Sequence, residues 1–219
     1  MTSAAERRQA ILDRIARASA IAGRDPAEVQ LIAVSKGRPA EDIEPLIDAG
    51  QRDFGENRVQ EALSKWPSML ARYPDTRLHG IGRIQSNKAA EAVKLFDTIH
   101  SLDRRSLLDA LVKAAATAGR APRVYVQVNI GEEEQKGGCA IGDVGELADA
   151  VRASPLPLDG LMAIPPVGVE PAPYFALLAK LARRHDVTGL SIGMSGDFEA
   201  AVMLGATAVR VGTAMFEDE

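Results

Sequence analysis

The chain is 219 residues long, 46% apolar and 26% charged, with a formal net charge of −4. That length buries a core without disulfides, the single Cys139 makes neither an internal disulfide nor a cysteine-rich zinc site, and mild acidity speaks against a dedicated nucleic-acid binder. No apolar run approaches the roughly 20 residues that span a bilayer, and the charged, amphipathic start has no apolar signal core, so a reducing, cytoplasmic setting is expected. From there the chain alternates short apolar runs with amphipathic stretches. A helix is predicted over 4–22, where Ala10, Ile11, Ile15 and Ala18 approach helical spacing and Gly23 offers a stop. The apolar run 31–35 reads as a buried strand, followed by a helix over 40–49 that Gly50 ends. A short strand over 52–55 leads into a helix over 56–72, with Pro74 beyond it. Strand 77–81, helix 84–95, strand 97–101 and helix 103–118, ended by Gly119, continue the alternation. The clearest strand, 123–130, precedes helix 142–153, strand 158–164 and helix 171–185. Strand 189–192, helix 197–204 ended by Gly205, and strand 207–211 complete the series.

Strands alternating with helices predict an α/β fold with a parallel sheet. Eight such units, each strand but the last followed by a helix, fit a small (β/α)8 barrel with one extra N-terminal helix. An open doubly wound sheet is the competing architecture. No linker, low-complexity tract or close repeat marks a second domain, so residues 1–219 read as one barrel domain. With 19 Gly against five Phe, three Tyr and one Trp, the core is expected to be aliphatic. Many of the glycines are expected where backbone turns sharply or approaches a ligand.

In a barrel, functional residues stand at C-terminal strand ends and in the loops after them. Strand 1 ends in Ser35-Lys36-Gly37-Arg38-Pro39, which puts Lys36 at the barrel mouth. A partly desolvated lysine there is a nucleophile or Schiff-base former; the competing reading is a solvated loop lysine. On strand 8, Thr207, Val209 and Val211 share one face and suit packing against helices. Ala208, Arg210 and Gly212 share the other face, so Arg210 points inward and needs a partner, either a bound group or an internal carboxylate. The loop Gly193-Met194-Ser195-Gly196-Asp197 and the pair Gly212-Thr213 supply backbone and hydroxyl donors after strands 7 and 8, where barrels often bind phosphate. Ordinary glycine turns with a helix cap are the plainer alternative.

Other features are weaker. Gly55-Glu56-Asn57 opens the predicted helix after strand 2, with Asn57 as a ligand contact or a cap. His79-Gly80-Ile81-Gly82 lacks the third glycine of a dinucleotide fingerprint, and His79 reads equally as a satisfied core residue. Ser101 and Asp103 read as helix caps. The run 132–136 reads as a solvated loop; transient cofactor contact at Lys136 is its sharper alternative. His79, His100 and His185 show no metal-ligand spacing.

A Schiff-base lysine, a phosphate clamp and an inward arginine form the set that pyridoxal 5′-phosphate (PLP) requires: an amine for its aldehyde, donors for its phosphate and a partner for its ring nitrogen. Arginine cannot accept a proton and leaves that nitrogen unprotonated, which makes the ring a weaker electron sink.

The sequence also resembles a known family, the YggS/PROSC-type pyridoxal phosphate homeostasis proteins, along nearly its whole length. The matching segments are Ala33-Val34-Ser35-Lys36; Phe54-Gly55-Glu56-Asn57-Arg58-Val59-Gln60-Glu61; His79-Gly80-Ile81-Gly82-Arg83-Ile84-Gln85-Ser86-Asn87-Lys88; Gln127-Val128-Asn129-Ile130; Gly160-Leu161-Met162; Ser191-Ile192-Gly193-Met194-Ser195; and Val209-Arg210-Val211-Gly212-Thr213-Ala214-Met215-Phe216. The resemblance implies a fold-type III PLP barrel like the N-terminal domain of alanine racemase. It implies that Lys36 carries PLP as a Schiff base, that Arg210 faces the pyridine nitrogen, and that Ser195, Gly196, Gly212 and Thr213 hold the phosphate while Asn57 and Met194 line the site. It implies a carrier and regulator in vitamin B6 and amino-acid homeostasis without robust catalysis. Gly37 stands where a threonine is common, Glu217 where a glycine is frequent, and the segment after Ile164-Pro165-Pro166 is short.

A PLP-dependent amino-acid racemase is the alternative. Such an enzyme needs an acid/base group on each face of its substrate, and in alanine racemases the second is a tyrosine from an additional domain. Tyr73, Tyr125 and Tyr174 are expected away from the mouth, and the length is expected to leave no room for that domain. A phosphate-ligand barrel unrelated to PLP is the third reading. PLP is the expected partner, with apo PLP-dependent enzymes as possible recipients, no nucleic acid or membrane, and a monomeric chain.

Overall fold

The computed structural model describes residues 2–217. Helix α1 (Ala4–Ile21) opens with a capping box: Ser3 Oγ accepts from Glu6 N–H, and the Glu6 carboxylate accepts from Ser3 N–H. It buries Ile11, Ile15 and Ala18. Strand and helix then alternate through β1 (Gln30–Val34), α2 (Ala40–Asp48), β2 (Asp53–Glu56), α3 (Val59–Arg72), β3 (Arg77–Gly80), α4 (Ala89–Leu95), β4 (Thr98–Leu102) and α5 (Arg105–Ala118). The second half holds β5 (Arg123–Val128), α6 (Val144–Arg152), β6 (Leu158–Ala163), α7 (Ala172–Arg184), β7 (Gly189–Ser191), α8 (Phe198–Met203), β8 (Ala208–Val211) and α9 (Thr213–Phe216). All eight strands are parallel and ordered as in sequence, and β1 pairs with both β2 and β8 (Ala33 opposite Phe54 and Val211). The sheet is therefore a closed barrel, not an open doubly wound one.

Three sequence expectations shift. The last strand is followed by a short helix, α9. The helix predicted from 56 starts at Val59, because Glu56 is the buried end of β2. The helix predicted over 84–95 is a single 3-10 turn at 86–88 running into α4. In both places helical periodicity extends into residues that the barrel uses as loops at its C-terminal face. The four glycines expected to end helices, Gly23, Gly50, Gly119 and Gly205, all have positive φ within two residues of a helix end.

The core has two chemically distinct layers. A continuous aliphatic cluster, with Trp66, Phe54, Phe96, Phe175 and Phe198 its largest members, fills the space between barrel and helices. Val209 and Val211 join it; Ala208 and Arg210, alternating with them, do not. Inside the barrel the lining is largely polar, with Asp53, His79, His100, Ser191 and Arg210 buried beside Ile32, Tyr125 and Met162. The aliphatic expectation thus holds for the outer layer and fails for the inner one.

Candidate functional site

Lys36 stands in the turn after β1. Arg38 N–H donates to Ser35 O at 3.1 Å, and Gly37 supplies the positive φ of 69° that the turn needs. Helix α3 pins this turn from beneath. Lys65 Nζ donates to Ser35 O at 2.8 Å and Arg38 O at 3.0 Å, while the Glu61 carboxylate accepts from Gly37 N–H at 2.5 Å. Under it all lies Glu56, fully buried, whose Oε1 accepts from Ser35 Oγ at 2.7 Å, Trp66 Nε1 at 2.8 Å and Lys65 Nζ at 2.7 Å. The sequence pattern placed Glu56 at a helix start; the structure makes it the anchor on which the Lys36 turn rests. Lys36 itself is exposed rather than partly desolvated, because it lies two residues beyond the end of β1. Its Nζ makes no hydrogen bond or ion pair among the described residues.

Lys36 opens onto a cavity of about 400 Å³ at the C-terminal end of the barrel. The other predicted site residues, Asn57, Met194, Ser195, Gly196, Arg210, Gly212 and Thr213, line the same cavity. Val34, Ile81 and Ile164 add apolar walls and Arg38 a second guanidinium. Sequence reading missed these four; their only signal is that each stands at or just past a strand end. Arg38 pairs with Glu217 and lies over the Phe216 ring, 5.2 Å from its centroid. The glutamate that departs from the family pattern thus ties the C-terminal segment to the turn after β1.

Arg210 is buried and holds its place through acceptors alone: Ser191 O and Ser191 Oγ, each at 2.6 Å, and Ala163 O at 3.1 Å. No carboxylate forms an ion pair with it among the described residues, so the internal salt bridge weighed in the sequence is not its partner. Burial pushes its pKa down to about 10, against the opposing pull of Asp197 and Tyr125, and it remains a cation at neutral pH.

The loops after β7 and β8 meet through Gly212 N–H, which donates to Ser195 Oγ at 3.2 Å. Asp197 closes the first loop by accepting from Met194 N–H at 2.6 Å. Gly193 does not line the cavity. Its φ of 92° and its close approach to α8, where a Cβ would stand 2.7 Å from Ala201 Cβ, are what seat this loop. Gly196 has open space where a Cβ would be.

The weaker candidates resolve individually. Asn57 lines the cavity and is not the cap of α3, whose N-cap is Arg58. Ser101 and Asp103 do not cap α5: Ser101 is buried in β4, and Asp103 binds Arg104 at 2.5 Å. Lys136 lies outside the cavity and is engaged, 3.1 Å from Pro165 O and 2.6 Å from the Glu133 carboxylate, so its loop is tied down rather than freely solvated. Tyr73, Tyr125 and Tyr174 also lie outside the cavity lining. The described residues contain no His, Cys, Asp or Glu cluster suited to a metal ion and no helix long and apolar enough to cross a membrane.

Comparison with known proteins places this barrel. The alanine racemase N-terminal domain family matches residues 7–219. A pyridoxal phosphate homeostasis protein of Pseudomonas aeruginosa is 44% identical over 223 residues, covering 99% of this chain and 96% of its own. The structure of PipY from Synechococcus elongatus PCC7942 with PLP bound superimposes with a TM-score of 0.80 at 40% identity, over 94% of this chain and 99% of that one. Alanine racemase from Streptomyces lavendulae shares the fold, with a TM-score of 0.68 at 22% identity, over 93% of this chain and 56% of the racemase. Similarity of this extent, in sequence and in fold, shows that the chain belongs to the pyridoxal phosphate homeostasis proteins, within the alanine racemase N-terminal domain family.

Proposed function

We propose that this protein binds PLP in the cavity at the barrel mouth, holds it on Lys36 as a Schiff base, and serves vitamin B6 and amino-acid homeostasis as a carrier. The observation that carries the reading is an unpartnered lysine amine sharing one small cavity with a buried cation and two donor-bearing loops. The donor set fits the group. Lys36 offers a free amine, and Ser195, Gly196, Gly212 and Thr213 offer hydroxyl and amide donors to a phosphate. Arg210, fixed by three acceptors, offers a guanidinium edge to a ring nitrogen. The names of the relatives and the PLP held by PipY support the same assignment.

Bound PLP supplies an aldehyde that condenses with an amine, releasing water, and an electron-withdrawing ring. The protein's own residues set how it is held. The Lys65 and Glu56 contacts beneath the turn fix the Lys36 backbone at the cavity rim and leave its amine free. Arg210 stays charged and would donate a hydrogen bond to the ring nitrogen without protonating it, which favours carriage over carbanion chemistry. Val34, Ile81 and Ile164 give the cavity apolar walls against which the ring would pack. Lys36 is the only lysine on the lining and no tyrosine joins it there, which favours a carrier over a racemase with acid/base groups on both faces. The same reading takes the protein as a cytoplasmic monomer of one barrel domain that delivers PLP to apo-enzymes.

Borohydride reduction of the PLP-loaded protein followed by peptide mass mapping tests this. A PLP adduct on Lys36 is expected, and an adduct elsewhere with Lys36 unmodified overturns it. Sustained α-proton exchange with L- or D-alanine would decide for the racemase.

A further inference from the structure

The barrel interior holds a line of five buried polar side chains, of which the cofactor reading uses only Arg210. Asp53, at the start of β2, lies 3.1 Å from His79 Nε2. His79 Nδ1 lies 3.0 Å from His100 Nε2, and His100 Nδ1 lies 2.8 Å from Ser191 Oγ. Ser191 Oγ accepts from Arg210 at 2.6 Å, which closes the line. Tyr125 stacks on the His100 ring, centroids 4.4 Å apart and planes within 6°, and holds it in plane. Arg77 and Gln30 complete the far end, each 2.8 Å from the Asp53 carboxylate.

One arrangement of hydrogens satisfies every contact. Arginine only donates and an ionised carboxylate only accepts. Ser191 Oγ already receives a hydrogen from Arg210, so its own goes to the remaining neighbour, His100 Nδ1. A neutral His100 then carries its hydrogen on Nε2 and donates to His79 Nδ1. His79 in turn carries its hydrogen on Nε2 and donates to Asp53. Every bond points from Arg210 toward Asp53. Burial, reinforced by the charge of Arg210, holds His100 well below the ordinary histidine range and keeps it neutral. Burial raises the Asp53 carboxyl, but hydrogen bonds from His79 and Arg77 and the charge of Arg77 outweigh it and keep the group ionised.

Taking Arg210 as the ring-nitrogen partner, we propose that His79 and His100 are positioning residues that connect Arg210 to Asp53, its remote counter-charge, through a one-way hydrogen-bonded relay. The relay explains how a buried cation persists without an adjacent carboxylate. It also works in one charge state only. A second proton on His79 forces its Nδ1 to donate, which moves the His100 hydrogen to Nδ1 and leaves Ser191 Oγ facing two donors with no acceptor for its own hydrogen.

Long-range proton–nitrogen correlation spectra of the histidine rings in cofactor-free protein test the relay directly. Both buried rings are expected as Nε2–H tautomers at neutral pH; an Nδ1–H or doubly protonated ring overturns it. For the positioning role, Ser191→Ala cuts the line at its junction and Ser191→Thr keeps the hydroxyl. Ser191→Ala is expected to weaken PLP binding about tenfold and to alter the pH profile of the visible absorption band, and Ser191→Thr to restore both. Unchanged affinity and an unchanged profile in Ser191→Ala overturn the role. If Ser191→Ala does not fold, Asp53→Asn, which removes the counter-charge and keeps its shape, carries the same readings. Borohydride labelling of Lys36 in the unsubstituted protein separates the two ideas: its loss sinks the PLP reading, whereas labelling with an indifferent Ser191→Ala sinks the relay.

Discussion

Lys36 and Arg210 face the same cavity and are held in opposite ways. The Lys36 backbone turn is clamped by Lys65, Glu61 and Glu56 while its amine is left free. Arg210 has its guanidinium fixed by three acceptors. Lys36→Ala is therefore expected to fold with near-native stability and to lose the PLP adduct after reduction, as read by intact mass. Arg210→Met is expected to behave differently. It leaves Ser191 O, Ser191 Oγ and Ala163 O without their buried donor, at a cost on the order of 3 kcal/mol, measured by urea unfolding. A Met variant as stable as the parent would show that those acceptors find other donors. Motif position was enough to single out both residues. No local pattern gave Glu56 its role, because a glutamate after a strand reads as a helix opener until Ser35, Trp66 and Lys65 are seen to converge on it.

Among the elements, the loop between β7 and α8 tolerates little change at Gly193. A Cβ at Gly193 would meet Ala201 Cβ at 2.7 Å and Phe198 Cα at 2.9 Å, at a φ that side chains avoid. Gly37 also has positive φ, but nothing lies within 4 Å of its Cβ direction. Gly37→Ala is thus expected to cost about 1 kcal/mol through backbone strain alone. Gly193→Ala adds a clash and is expected to cost roughly 2–4 kcal/mol. It also displaces Ser195 from Gly212 and weakens PLP binding, measured by dialysis. Equal costs for the two substitutions would contradict this division. Strand and helix existence was readable throughout from apolar runs and amphipathic spacing. The boundaries that slipped, at 56–58 and 84–88, lie where the barrel recruits helix-patterned residues into its functional loops.

At the scale of the whole molecule, the polar barrel interior couples stability to pH. The folded pKa of His100 is depressed, so between it and the ordinary histidine value the unfolded chain binds more protons. Stability therefore declines as pH falls below about 6.5. Asp53 is also depressed in the folded state, so its contribution, present above the ordinary carboxylate range, is lost as pH falls through its lower folded value. Both act in the same direction. Melting temperature is expected to fall continuously from about pH 6.5 downward, and His100→Phe to flatten the upper part of that decline. A melting temperature level between pH 7 and pH 5 would contradict the neutral buried histidine.

The sequence by itself determined the alternation that closes a barrel, the strand ends at which Lys36 and Arg210 stand, and the two loops beside them. These follow from local periodicity and from the rule that such barrels work at their C-terminal face. Only the tertiary structure decided that the barrel interior is polar, that Glu56 underpins the lysine turn, and that Asp53, His79, His100 and Ser191 form one line behind the arginine. Those residues come from β2, β3, β4 and β7. A hydrogen bond between strands depends on register and on which face each side chain takes in the closed sheet, and no local pattern along the chain encodes that pairing.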